Sequence, residues 1–236
     1  MRGLGLSGTS CLLTGSSSSC EQVWRLLSEA SDPICNVPGA RWDEQLYDEA
    51  SSSGLAKCYV QCGGFVVGME EFDAGWFRIS SSEAGQMDPQ QRKLLEVGYA
   101  ALVDAGLAKP ELLGSATGVF VGIQVGEYGS LPHRGQPSPY SATGASAAIA
   151  ANRVSYLLGL EGLSMSVDTA CSSALVALET GRQCLGSGLC ETTLVGTVNV
   201  LVSVAGFIGT CSAHMLSPTG RCRTFDVAAD GYARAE

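Results

Sequence analysis

Two apolar runs, TGVFVGI at residues 117–123 and TLVGTVNVLVS at 193–203, constrain the fold of this 236-residue chain more than any other feature. Both are dense in β-branched residues, the first lies between glycines, and both read as buried strands. A third segment alternates Leu163, Met165 and Val167 with Ser164 and Ser166, the period-2 pattern of a strand. Longer stretches at helical spacing separate these runs. That alternation predicts an α/β layered fold.

The clearest helix is MDPQQRKLLEVGYAALVDAG, residues 87–106. Asp88 is placed to cap it, Pro89 fits the first turn, and Gln91 stands three residues after the cap as a capping-box partner. Leu94, Leu95, Val97, Ala101, Leu102 and Ala105 form the apolar stripe, and Gly106 ends it. CEQVWRLLSEA, residues 20–30, carries Val23, Leu26, Leu27 and Ala30 on one face, with Asp32-Pro33 as the stop. Residues 143–158, TGASAAIAANRVSYLL, read as one helix whose small side chains let another backbone approach closely. Residues 31–64 are rich in Ser, Gly, Pro and isolated aromatics and read as an irregular surface excursion.

Composition narrows the function classes. The chain is 45% apolar and 16% charged, as expected of a folded globular protein. Its 14 basic against 23 acidic residues give a net charge of -9, which argues against binding nucleic acid through a basic face. No run of eighteen apolar residues predicts a transmembrane helix, and the Gly/Ser-rich N-terminus does not resemble a signal peptide. Ten cysteines spread through the chain fit reduced thiols, in a cytosolic or other reducing compartment, better than a disulfide framework. Cys58 and Cys62 have no second Cys/His pair at matching spacing, so no metal site is predicted and both read as buried thiols.

Three features invite a chemical reading. GLGLSG at 3–8 fits the dinucleotide fingerprint G-x-G-x-x-G, but only Met1 and Arg2 precede it and the next helix starts near Cys20, so it reads as a glycine-rich strand start. Neither His133, in LPHRGQPSP, nor His214, in AHMLSP, belongs to a recognisable catalytic motif. VDTACSSALVAL, residues 167–178, places Cys171 where a strand gives way to a helix. At a helix N-terminus, unpaired N–H groups and the helix dipole favour thiolate over thiol, and the same N–H groups can bind an oxyanion. Free cysteine is also among the most buried residue types, and spacing leaves both readings of Cys171 open.

Taken together, MDPQQRKLLEV (87–97), TGVFVGI (117–123), NRVSYLLGLEG (152–162), VDTACSSALVAL (167–178) and MLSPTGRCRTFDVAADGY (215–232) resemble the N-terminal half of a β-ketoacyl synthase of the type I polyketide synthase kind. RWDEQLYD (41–48) and FDAGWFRIS (72–80) fit the same pattern. The segments follow the family's order through nearly the whole chain. The resemblance implies a thiolase-like fold, with residues 1–236 as the N-terminal αβα half of a five-layer αβαβα architecture. It implies that Cys171 accepts an acyl group from the phosphopantetheine of an acyl carrier protein, with no cofactor bound directly. A malonyl-type extender then loses carbon dioxide and attacks the cysteine thioester. Asp168, Thr169, Ala170, Ser172 and Ser173 would frame the nucleophile, and Tyr232 corresponds to an aromatic near the reaction chamber.

The family's two catalytic histidines and its lysine belong to HGTGT and KxxxGH motifs of a C-terminal half, and neither motif occurs here. The chain also stops at DGYARAE, inside a segment that continues in the family, so the expectation is of an incomplete sequence or a truncated product. Two functions follow. One is the nucleophile-bearing half of a decarboxylative condensing enzyme of polyketide or fatty-acid biosynthesis, in a homodimer, in the cytoplasm or a plastid. The other is a non-catalytic dimerisation or remnant module, with the strand near Leu163 to Val167 at the dimer seam.

Overall fold

A computed structural model describes residues 4–15, 17–43, 58–124, 126–131 and 138–236. His133 and most of RWDEQLYD lie outside the described residues. In chain order the elements are α1 (Cys20–Ser28), β1 (Cys35–Asn36), β2 (Cys62–Gly63), α2 (Ser81–Ala84), α3 (Pro89–Asp104), α4 (Lys109–Leu112) and β3 (Thr117–Ile123). They continue with α5 (Ser141–Ala145), α6 (Ala147–Leu158), β4 (Ser164–Val167), α7 (Ser173–Gly186), β5 (Thr192–Val198) and α8 (Val204–Ser212). The chain divides into two compact units, one from residues 1–11 and 69–199, the other from 12–68 and 200–236.

The first unit is built on a parallel sheet of order β4-β3-β5. All seven residues of β3 are buried, which is why its sequence is continuously apolar rather than alternating. Val119, Val121 and Ile123 pack with Leu94, Leu95 and Leu102 of α3 and with Ala150, Ala151, Val154 and Leu158 of α6. Phe120, on the opposite face, packs with Ala177 and Cys184 of α7. The result is one αβα layering, as the resemblance implied. Burying each such side chain contributes on the order of 1.5–3 kcal/mol, and β3 contributes to both faces.

Several expectations were revised by the structure. The helix expected over 143–158 is two helices, α5 and α6, separated by the extended Ser146. Its cause is Gln91. The Gln91 amide donates to the Thr143 and Ser146 carbonyls, 3.0 Å from each, and its oxygen accepts from Arg153 Nε at 2.9 Å. Gln91 therefore makes no capping box. Asp88 does cap α3, accepting from the Gln90 N–H at 2.8 Å, while its own N–H donates to the Gly144 carbonyl. A Cβ at Gly144 would run into the backbone of Gln86 and Met87, so the small-residue stretch does admit a neighbouring backbone closely. Arg153 also pairs with Glu83, which completes a largely buried polar cluster beneath the α5–α6 break.

Further revisions concern the strands and α1. The run expected as a strand over 193–203 pairs only as far as Val198, and residues 199–203 lead into α8. Helix α1, capped by Ser19, ends at Ser28, and none of its residues is fully buried. Val23 and Leu26 are half-buried, but Leu27 and Ala30 are exposed. GLGLSG forms no paired strand over its described residues, 4–8.

In the second unit, Val37, Trp42, Val60, Phe65, Leu201, Phe207, Cys211 and Leu216 form the core, with Trp42 set edgewise to Phe65 at 6.0 Å. Over its described residues, 31–43 and 58–64, the excursion contains the short antiparallel pair β1–β2. The Glu236 carboxylate joins three segments here. It accepts from Arg41 at 2.9 Å, from the Val66 N–H at 2.7 Å and from the Leu201 N–H at 2.9 Å.

Gln91→Leu keeps the volume of the side chain but leaves the Thr143 and Ser146 carbonyls without this donor and takes one acceptor from Arg153, which keeps Glu83. It is expected to destabilise the chain by about 3 kcal/mol, read as a lowered midpoint in urea at unchanged slope.

Candidate functional site

Strand β4 ends at Val167, and a short 3-10 turn, Ala170–Ser172, carries the chain into α7 at Ser173. Cys171 sits in that turn, two residues ahead of the α-helix proper, and is exposed. Its setting differs from the sequence expectation in one respect: the helix begins at Ser173 rather than at the cysteine. The apolar positions Ala177 and Cys184 commit α7 to the sheet, and this packing fixes where the turn lies.

Ala170, directly before the cysteine, has φ +56°, a left-handed conformation that costs a residue with a Cβ about 1–2 kcal/mol. Several hydrogen bonds hold it. The Asp168 carboxylate accepts from the Ala170 N–H at 2.9 Å. The Ser173 hydroxyl accepts from the Thr169 N–H at 2.9 Å and donates to the Ala170 carbonyl at 2.7 Å. The Ser172 hydroxyl lies 2.8 Å from the Thr169 carbonyl and 2.9 Å from the Thr169 hydroxyl. Every residue expected to frame Cys171 thus takes part in the turn. The Cys171 N–H itself donates to no group among the described residues.

Glycine at position 122 of β3 completes the arrangement. A Cβ there would come within 2.9 Å of the Ser173 backbone and 3.0 Å of its Cβ. Only a bare backbone lets the start of α7 settle this closely onto the sheet. Chemically, the site offers an exposed thiol, an available N–H on the same residue, and a rigid backbone bend beneath them. A nucleophile that attacks a carbonyl needs these three things.

The remaining sequence candidates among the described residues belong to the second unit. Tyr232, in the second unit, is held by main-chain bonds, its N–H to the Met215 carbonyl at 3.1 Å and its carbonyl from the Ser217 N–H at 3.0 Å. Its side chain is partly exposed. His214 stacks on Tyr59 with ring centroids 6.4 Å apart, a local packing role. Cys58 is half-buried, with its sulfur 3.5 Å from Cys211 Sγ. Burial pushes the Cys58 thiol up to about 12, which keeps it protonated and inert at neutral pH. Among the described residues there is no cluster of three or more His, Cys, Asp or Glu side chains fit to hold a metal, and no helix long and apolar enough to cross a membrane.

Sequence reasoning did not single out the buried roles of Gln91 and Glu236. The position of Gln91 in the first turn of α3 suggested only a cap, and nothing local distinguishes a terminal glutamate as an anchor.

The family model for the N-terminal domain of β-ketoacyl synthase matches residues 4–236. The chain belongs to the β-ketoacyl synthase family. This ketosynthase chain is 41% identical over 233 residues to a cyclo-acetoacetyl-L-tryptophan synthase of Aspergillus oryzae, covering 97% of the chain and 6% of that protein. It is 41% identical over 234 residues to a mycoketide-CoA synthase of Mycobacterium tuberculosis, covering 99% of the chain and 6% of the relative. Among solved structures, it is similar to an oxazolomycin ketosynthase domain of Streptomyces albus, with TM-score 0.88 and 35% identity over 98% of the chain and 41% of the other. A ketosynthase from module 6 of the Bacillus subtilis bacillaene synthase gives TM-score 0.82 at 34% identity, over 98% of the chain and 38% of the other. These neighbours share the thiolase-like fold expected from the sequence. The ketosynthase chain therefore spans less than half the length of each of these proteins.

The bend before Cys171 yields a direct test. Ala170→Val, whose branched side chain tolerates positive φ poorly, is expected to unfold about 1–2 kcal/mol more easily than Ala170→Gly, which fits it without strain. Thermal denaturation of the two variants gives the comparison.

Proposed function

We propose that this chain is the nucleophile-bearing part of a condensing enzyme of polyketide or fatty-acid biosynthesis, and that residues 1–236 are the N-terminal domain of its ketosynthase. One observation carries the reading: Cys171 is exposed on a hydrogen-bonded strand-to-helix bend with its own N–H available. In the proposed reaction the Cys171 thiolate attacks the thioester carbonyl of an acyl group carried on the phosphopantetheine of an acyl carrier protein. The carbonyl oxygen takes up negative charge beside the Cys171 N–H. Collapse of the intermediate leaves the acyl group on Cys171 and expels the pantetheine thiolate, which takes up the proton that the Cys171 thiol gave up on ionising. A malonyl-type extender then loses carbon dioxide, and its carbanion attacks the Cys171 thioester. The products are a β-ketoacyl chain on the carrier and the free Cys171 thiolate.

The second oxyanion donor and the proton-handling histidines belong, by resemblance, to motifs that these 236 residues do not contain. Tyr232 is assigned to the wall of the reaction chamber on the same basis. The chain is also proposed to work as a homodimer in a reducing compartment, the cytoplasm or a plastid. A non-catalytic dimerising module is the competing reading, and the placement of β4 at a sheet edge, with Leu163 and Met165 partly exposed, supports pairing of two copies under either reading.

Incubating the 236-residue chain with an acyl-thioester probe is expected to label Cys171 and to form no carbon–carbon bond with a malonyl extender. Label on Cys171→Ser equal to that on wild type, or none on wild type, would sink the catalytic reading and leave the dimerising one. A second expectation concerns solubility. Leu175 and Leu178, spaced to share a face of α7, are 70% and 55% exposed. Light scattering on the isolated chain is expected to report self-association, and a monodisperse monomer with one cooperative melt would contradict it.

A further inference from the structure

We propose that Ser173 is a positioning residue for acyl transfer at Cys171: its buried hydroxyl locks the bend so that the Cys171 N–H is presented to the oxyanion of the tetrahedral intermediate. The inference rests on Cys171 being the acyl acceptor and goes beyond it by naming the side chain that makes the oxyanion donor rigid.

Three observations lead to Ser173. The first is the direction of its hydrogen bonds. Helices α1, α3 and α8 are each capped by a side chain that accepts from one of the helix's own first N–H groups: Ser19 from Gln22, Asp88 from Gln90 and Ser203 from Ala205. Helix α7 has serines at its capping position and at its first residue, yet no side chain caps it. The Ser173 hydroxyl points backward along the chain instead, bonded to the Thr169 N–H at 2.9 Å and the Ala170 carbonyl at 2.7 Å. It therefore ties the Asp168–Thr169 peptide group to the Ala170–Cys171 peptide group across the strained residue.

The second observation is the strain itself. Ala170 at φ +56° is held in a conformation that relaxes unless its surroundings over-determine it. The Asp168 carboxylate fixes its N–H and the Ser173 hydroxyl fixes its carbonyl. The Ala170 carbonyl and the Cys171 N–H belong to one planar peptide unit. Fixing the oxygen at one end of that plane fixes the direction of the N–H at the other. Ser173 thereby controls the orientation of a donor that it does not touch.

The third is rigidity beneath the hydroxyl. Ser173 is 8% exposed and packs against Gly122, where no side chain intervenes between strand and helix. A buried hydroxyl with two partners and a fixed backbone is a precise orienting device, whereas a solvent-exposed one would exchange its bonds with water. A well-placed oxyanion donor contributes a factor of about 10²–10³ in rate, and a misdirected one forfeits part of that.

The test uses two reagents on the full chain. Acylation of Cys171 by an acyl thioester passes through an oxyanion, whereas alkylation by iodoacetamide is a displacement at carbon that needs no oxyanion donor. Ser173→Ala is expected to slow acylation at least about tenfold while changing alkylation less than about threefold. Ser173→Thr, which keeps the hydroxyl, is expected to restore acylation to within about threefold of wild type, with melting curves recorded for each variant. Equal loss with both reagents would reduce Ser173 to a structural residue and overturn the proposal. So would unchanged acylation in Ser173→Ala beside a reactive wild type, which leaves Cys171 as acceptor intact. A wild type that alkylates but never acylates would overturn both readings together.

Discussion

Burial of β3 on both faces is the constraint on which the first unit depends. A strand covered on one side only needs apolar residues at alternate positions. Seven consecutive buried residues require a helix layer on each side. Val119, Val121 and Ile123 call for α3 and α6, and Phe120 calls for α7. Once α7 is drawn onto that second face, the connection from β4 must turn sharply within a few residues. Cys171 lies in that turn. The exposed thiol is therefore a geometric consequence of the buried strand beside it.

Polar contacts then refine what burial sets up. Gln91 sits on the face of α3 that meets α5 and α6, and it stops the small-residue segment from forming one continuous helix. Satisfying two carbonyls and an arginine at once makes the break at Ser146 a stable feature rather than a local weakness. Glu236 does the corresponding work in the second unit, where irregular chain segments converge and few backbone groups can find strand partners. In both places a buried side chain replaces the hydrogen bonds that regular secondary structure would have supplied.

The bend at Cys171 combines both kinds of control. Packing of Gly122 against Ser173 sets the distance between sheet and helix, and the Asp168 and Ser173 side chains set the direction of the peptide groups between them. Strain at Ala170 persists because each of its polar groups is already engaged. A bend that stores strain under an exposed thiol suits a covalent intermediate, since little has to reorganise when charge develops beside it.

Much of this was legible in the sequence because it depended on local pattern. TGVFVGI read as a buried strand, Asp88-Pro89 and Gly106 marked both ends of α3, and the passage from strand to helix in VDTACSSALVAL located the bend at Cys171. The motifs around those elements also named the family. Tertiary structure alone decided the division of TGASAAIAANRVSYLL, the early end of the 193–203 strand, the anchoring role of Glu236 and the backward reach of the Ser173 hydroxyl. The reason is the same in each case. Hydrophobic period is written along the chain, whereas a hydrogen bond between residues 91 and 146, or 201 and 236, exists only after packing has brought distant segments together.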